Sequence, residues 1–441
     1  MKDSGIEWIG VIPFEWTLKK NKEIFYEVKD TADAQTDLEL LSVSEYYGVA
    51  KRKDVISSEE TLMRADSLEG YKICNENDLV INIMLAWKGA LGISPFSGLV
   101  SPAYNVFRRK SNAFIPKYYQ YLFQTAMYTT YFKRFSTGIV DSRLRLYPNV
   151  FLSLTSHYPE TYEQKIIADY LDQKVACIDN IIEKTILSIE EYQKLKQSII
   201  TEIVTKGLNP DVKMKDSGTE WIGQIPEHWE VLPIKNLFEF NKGLSITKED
   251  LTDDGVSVIS YGQIHSKDNK SYKINPDLIR FIPNSHPQIS QNERVKPGDF
   301  VFADTSEDLI GTGNFILNDG MESLYSGYHT ILLKPKSENQ VLSKYLSFLF
   351  LSESWRAQIR SRVSGIKLFS LTQRIFKSSM IITPPADEQK LIASYLENKL
   401  NLIEKLMLIK ESEVQELEQY KKSLIYEVVT GKKEINGKEV N

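Results

Sequence analysis

Cysteine is nearly absent: two residues in 441, Cys74 and Cys177. They give no disulfide framework and no CxxC metal spacing, which fits a reducing compartment. No apolar run approaches the roughly 18 residues of a membrane-spanning helix, and the opening MKDSGIEWIG lacks the apolar core of a leader peptide. A cytoplasmic protein with no membrane partner is expected. GxGxxG, GxxxxGK[ST], HExxH and GxSxG are all missing. The histidines (His157, His228, His265, His286, His329) show no ligand spacing, so no metal site is expected. Asp211-Val-Lys213 and Glu27-Val-Lys29 are acid-x-Lys fragments of the kind a metal nuclease uses, but neither follows an acidic strand partner. A net charge of −5 excludes a uniformly basic nucleic-acid coat.

What is present is a repeat. Lys2–Trp16, KDSGIEWIGVIPFEW, matches Lys215–Trp229, KDSGTEWIGQIPEHW, at 11 of 15 positions after a shift of 213 residues. EQKIIADYLDQK from Glu163 returns as EQKLIASYLENK from Glu388, a shift of 225 that still holds at Glu202 and Glu427. The second half thus carries 12 extra residues between its head and its helix, and the helix itself has gained and lost none. A fixed head and a fixed helix bracket a variable middle.

The middles are related too. Asp78–Asn82 and Asp299–Ala303 read as short strands, as do Tyr104–Phe107 and His329–Leu333. A helix is expected over Ile115–Phe135 and another over Leu342–Arg362, each followed by a Gly-Ile pair at Gly138 and Gly365. The closing runs carry heptads. In the first, Leu171, Ile178, Thr185, Tyr192 and Ile199 alternate with Val175, Ile182, Ile189, Lys196 and Ile203. In the second, Leu396, Ile403, Lys410, Leu417 and Leu424 alternate with Leu400, Met407, Val414, Lys421 and Val428. The apolar members predict helix–helix packing in one antiparallel pair, interrupted by Lys196 and Lys421 at matching seam positions. Some 44 helical residues span roughly 66 Å at about 1.5 Å each, on the order of two turns of B-DNA. The pattern predicts an α+β chain with an internal pseudo-twofold repeat: globular α/β domains at 1–158 and 208–383, spacer helices at 159–207 and 384–432, and a tail at 433–441.

Positive charge concentrates late in each middle. Arg108–Tyr158 holds eight bases against one acid, Asp141, and Ser343–Ser379 seven against Glu353, whereas both long helices carry more acids than bases. Two basic surfaces on an acidic spacer fit two sets of phosphate contacts. Candidate DNA-binding residues are Arg108, Arg109, Lys133, Arg134, Arg143 and Arg145 in the first half. In the second they are Arg356, Arg360, Arg362, Lys367 and Arg374. Two loops with mixed polar and aromatic residues, Ser42–Lys53 and Ser260–Lys267, add Lys51, Arg52, Lys53, Gln263 and Lys267. Arg52 and Gln263 are of the types that read base edges bidentately.

The doubled KDSG-x-EWIG-x-IP-x-x-W head, the doubled EQK-x-IA-x-YL helix start and the EIVTKG and EVVTGK endings resemble the specificity subunit of type I restriction-modification enzymes, from Lys2 to Lys432. The resemblance implies that each middle is a target recognition domain reading one half of a bipartite double-stranded DNA site. It implies that the helices set the gap and dock two modification (methyltransferase) subunits, with restriction (motor-nuclease) subunits joining the complex. It implies no catalysis and no cofactor in this chain: S-adenosylmethionine, ATP and Mg belong to the partners. The middles differ, Asn77-Asp78 against Gly298-Asp299, so they are expected to read different half-sites. The other readings are a coiled-coil DNA-binding protein outside restriction and a self-contained DNA methyltransferase or nuclease.

Overall fold

A computed structural model describes residues 1–33, 36–55, 68–140, 143–269, 271–336, 340–365 and 367–435. Asp141, Ile366 of the second Gly-Ile pair and residues 436–441 of the expected tail lie outside these. The chain forms two compact units, Met1–Ile186 with Ser412–Asn441, and Leu187–Glu411. Both long helices, Thr161–Lys206 and Ala386–Val429, are therefore shared between units.

The first unit is built on a four-stranded antiparallel sheet in the order Phe25–Val28, Tyr104–Arg109, Leu79–Asn82, Leu91–Ile93. Every residue of Leu79–Asn82 is buried, because alternate side chains enter different cores. Leu79 and Ile81 join Phe25, Phe107, Phe123 and Phe151 on one face, while Val80 joins Val28, Val43 and Val106 on the other. The second unit repeats the design with Phe238–Lys242, Thr330–Pro335, Phe300–Ala303 and Phe315–Leu317. There Phe300 and Phe302 face one core and Val301 and Ala303 the other. The second unit adds a further four-stranded sheet, in which Val256–Ile259 pairs in parallel with Leu324–Ser326.

The single helices expected at 115–135 and 342–362 are each two. Pro116–Gln124 meets Ala126–Phe135 at Thr125, and Gln340–Leu351 meets Glu353–Arg360 at Ser352. Both break residues are extended, and each accepts a hydrogen bond on its side-chain oxygen, from Tyr128 N and Trp355 N. The hydroxyl caps a new helix instead of letting the old one continue. Ser42–Lys53, expected as a loop, is an antiparallel hairpin, Leu41–Ser44 with Gly48–Lys51, running into a short helix Arg52–Val55. Ser260–Lys267 holds a short helix, Tyr261–Ile264.

In the first unit Leu171 and Ile178 pack into one cluster with Leu424 and Val428, and Lys421 donates to Asp179 at 2.6 Å. In the second, Ile200 and Val204 cluster with Ile392, Leu396 and Leu400, and Lys196 donates to Glu404 at 2.5 Å. Within each unit, rising numbers on one helix meet falling numbers on the other. Both ion pairs join the same two repeat positions, since the shift of 225 carries Asp179 to Glu404 and Lys196 to Lys421. Of the heptad positions, Leu171, Ile178, Thr185, Leu396, Leu400, Ile403, Leu424 and Val428 are buried. Val175, Ile182, Ile189, Ile199, Met407, Val414 and Leu417 are half-buried.

Each long helix ends on a glycine pressed against a head tryptophan. Gly431 has φ +70°, and a β-carbon there would lie 2.4 Å from Pro13 and 3.1 Å from the Trp16 ring, in the first unit. Gly207 has φ +77°, and its β-carbon would lie 3.1 Å from the Trp229 ring, in the second. Only glycine fits both the left-handed turn and the close approach.

Candidate nucleic-acid interface

In the first unit the helix Ala126–Phe135 closes on Lys133 and Arg134, where cations suit the carbonyl end of a helix. Lys133 also lies 4.8 Å from the Trp87 ring centroid. The chain then enters a loop whose ends are zipped by two hydrogen bonds of 3.0 Å, Thr137 N to Arg145 O and Arg145 N to Thr137 O. From Arg143 onward the burial alternates: Arg143 and Arg145 are exposed, Leu144 and Leu146 buried. This strand-like period turns leucines inward and arginines outward. Leu146 N donates to Ile83 O at 2.9 Å and ties the loop to the end of the central sheet. At the tip, Ile139 is 98% exposed and Val140 50%. The Thr137–Arg145 bridge thus sets the chain that follows Lys133 and Arg134 beside Arg145.

The hairpin of the same unit raises Tyr46, 88% exposed, at its turn. Behind it Lys51 and Lys53 both bond Glu39, and these bonds, Lys51's first, hold the exposed Glu39 carboxyl down to about 2. Arg52 opens the short helix, its N–H bonded to Leu40 O. Arg109 donates to Phe114 O. Arg108 serves the fold: Nε and Nη2 each donate to the buried Asp78 carboxylate at 2.8 Å.

In the second unit three of the six expected cations also have partners inside the unit. Arg356 donates to Phe350 O and Asn314 Oδ1, and burial pulls it down to about 10. Arg360 bonds both Glu353 oxygens and Ile310 O. Arg362 bonds Ser378 O and Oγ. Gln263 accepts from Ser260 N at 3.0 Å and caps its own short helix. Lys267, Lys367 and Arg374 are exposed and, like Arg143 and Arg145, have no ion-pair partner among the described residues.

One cluster in this unit was not foreseen. His329 sits in the left-handed region at φ 53°, its Nδ1 3.3 Å from Asp304 Oδ1. Tyr261 packs edge-on to its ring at 5.3 Å, and Thr305 Oγ1 donates to the same Asp304 oxygen at 2.7 Å. Sequence separations of 25 residues and more hid this convergence. Among the described residues no group of acids, histidines or cysteines can hold a metal ion, and no helix is long and apolar enough to cross a membrane.

Residues 226–419 match the family model for the type I restriction modification DNA specificity domain. Over 435 residues the chain is 26% identical to the type I restriction enzyme MjaVIII specificity subunit of Methanocaldococcus jannaschii, covering 96% of this chain and 93% of that one. The chain is thus similar to type I specificity subunits along nearly its whole length. The EcoKI specificity subunit of Escherichia coli is similar over 214 residues at 23% identity, 48% of this chain and 44% of that one. In fold, this chain resembles one solved in work on complex assembly and conformational transition of the type I R-M system. That match has a TM-score of 0.71 at 13% identity, over 96% of this chain and 99% of that one. The HsdS subunit from Thermoanaerobacter tengcongensis follows at a TM-score of 0.55 and 13% identity, over 98% and 100%.

Proposed function

We propose that this chain gives a type I restriction-modification complex its DNA specificity, each unit reading one half of a bipartite double-stranded site. The observation that carries this is the doubled design: two related units, each with exposed cations on a loop after its helix pair, joined by helices whose repeat length is invariant. In this reading the helices form one antiparallel coiled coil that holds two target recognition domains apart and sets the unread gap. They also dock two modification subunits. Exposed Leu402 and Ile409, seven residues apart on the second helix, support such docking, because apolar side chains repeated along a helix face suit a partner helix. Restriction subunits join through that complex in the cytoplasm. S-adenosylmethionine, ATP and Mg are held by the partners, and this chain has a reading role without turnover.

The test is expression of the chain with its cognate methyltransferase, followed by single-molecule mapping of methylated adenines. The expected result is one asymmetric, two-part motif with a fixed gap, and recovery of the methyltransferase at about two per chain. Methylation at a continuous motif, or recovery of the chain with an unrelated partner only, overturns the reading.

A further inference from the structure

We propose that Asp304 and His329 choose one base of the second unit's half-site, together accepting from an exocyclic amine, cytosine N4 or adenine N6, in the major groove. This rests on the DNA-reading function proposed above and adds which side chains select a base.

The central sheet sets the pair up. Asp304 follows the strand Phe300–Ala303, and His329 precedes Thr330–Pro335, its neighbour in the sheet. Asp304 N donates to His329 O at 3.1 Å, so the two residues stand side by side at one end of the sheet. Thr305 Oγ1 at 2.7 Å and His329 Nδ1 at 3.3 Å both address Asp304 Oδ1. An ionised carboxylate only accepts, so this bond assigns the proton of the neutral ring to Nδ1 and leaves Nε2 an acceptor. Asp304 Oδ2 and His329 Nε2 thus remain as two acceptors with no hydrogen-bond partner among the described residues. Both side chains reach solvent, at 33% and 60% exposure. Two adjacent acceptors suit an amine, which cytosine and adenine present in the major groove; guanine O6 and thymine O4 are acceptors and are refused.

The pair is held in place. Tyr261 and Tyr328 stand nearly perpendicular to the imidazole, with centroids 5.3 and 6.0 Å away. His265 Nε2 donates to Thr305 O at 2.8 Å, fixing the residue that braces the carboxylate. The backbone of His329, at φ 53°, suits glycine better than histidine. The turn itself therefore does not call for an imidazole, and a side chain kept against local backbone preference points to a use.

Its surroundings suit a duplex. Leu371 N donates to Asp304 O at 2.7 Å, and Thr305–Ser306 pairs with Phe369–Ser370. Exposed Lys367 and Arg374 lie on either side of that short strand in the chain and can take phosphates. A carboxylate beside them repels phosphate but gains from a base amine. In the first unit the same two places hold Ala103 and Ile83, which cannot make this reading.

The experiment uses the full chain with its cognate methyltransferase and maps methylated adenines. D304N keeps Oδ1 and puts an amide donor where Oδ2 stood. It should change one position of one half-site from an amino base to a keto base on the same strand. H329G should relax that same position, leave the other half-site unchanged and melt no lower than the parent; it carries the test alone should D304N lower the melt. Duplexes that lack one amine at a time, with purine for adenine or 5-methyl-2-pyrimidinone for cytosine, then tell the two bases apart. The parent should bind about ten- to hundredfold more weakly at that one position, and H329G should not respond there. A parental motif in both variants overturns the proposal and leaves the reading function standing. So do changes spread over both half-sites, or an amine-sensitive position that survives in H329G. Absence of any site-specific binding by the parent overturns the reading function and this proposal with it.

Discussion

Arg108 clips Asp78 through two hydrogen bonds of 2.8 Å, and among the described residues the second unit shows no such clip on Asp299. Its strand places Lys334 where the first has Arg108, and Lys334 reaches Gln291 O at 3.4 Å instead. Both aspartates close the same kind of turn. Asp78 accepts from Asn75 N and Asp299 from Lys296 N, and the residue before each has positive φ, Asn77 at 69° and Gly298 at 94°. A bidentate guanidinium fits a carboxylate where an ammonium does not.

The missing clip leaves Asp299 buried with little compensation, and burial pushes its carboxyl up to about 6. An acid whose folded pKa is raised binds its proton more tightly in the native state. Its contribution is therefore most favourable below about 4 and is lost as pH climbs to 6. D299N keeps an acceptor for Lys296 N–H and removes the charge. It should stabilise the protein by about 1–3 kcal/mol at pH 7.5 and do nothing at pH 4. D78N should instead cost about 2–3 kcal/mol, because Arg108 loses its counter-charge. Chemical denaturation of both variants at the two pH values checks the pair; equal effects would refute it.

His157 responds to pH with the opposite sign. Burial, and then the charge of Lys432, brings its imidazole down to about 4. Tyr128 Oη lies 2.8 Å from Nδ1 and accepts from His157 N at 3.1 Å. The hydroxyl thus bonds both the backbone and the ring of His157 inside the core. The unfolded chain protonates this imidazole near 6.5 and the folded one only near 4, so stability falls as pH drops through that window. Hydrogen exchange followed by peptide should show the first unit loosening between pH 6.5 and 4.5, and H157N should flatten that slope. Unchanged protection around Thr155–Tyr158 at pH 4.5 would count against it.

The seam lysines set register. K196E and E404K should each cost about 0.5–1 kcal/mol, since these groups are partly exposed, and the double exchange should recover most of the loss. K421D with D179K should do the same in the other unit. Denaturation midpoints of the four combinations provide the cycle; additive losses would show that the ions do not act as pairs.

Inserting one heptad into both long helices adds about 10 Å of helix, close to three base pairs of duplex. Methylated-adenine mapping should then find the same two half-sites around a gap longer by about three. Altered half-site bases would mean that the helices take part in reading.

Much of this architecture could be read from the sequence because repetition supplies its own control. The strand Leu79–Asn82 and its sister Phe300–Ala303 stand out as apolar runs, and the heptads mark the covered side of each helix. The two helix breaks were legible in principle, since Thr125 and Ser352 are capping residues at equivalent places, but the apolar pattern around them is continuous. Ser260-Tyr-Gly-Gln263 likewise carries the S-x-x-Q spacing of a capped helix start, so Gln263 was readable as a cap. Arg108 could not be placed, because its partner lies 30 residues away and a charge count cannot tell a clipped arginine from a free one. The exposure of Ile139 was equally hidden: nothing local distinguishes an isoleucine at a loop tip from one in a core.

The two glycine–tryptophan contacts have a topological consequence. Trp229 receives the end of the helix just before it in the chain, whereas Trp16 receives a helix end more than 400 residues later. Each head seats a helix end by proximity alone, indifferent to which peptide bond joins them. The order of connection is thus cyclic, and the place where the chain starts is arbitrary. A version opened between Gly207 and Lys213, with the original ends joined by a short linker, keeps every contact inside both units and should fold and bind as the parent does.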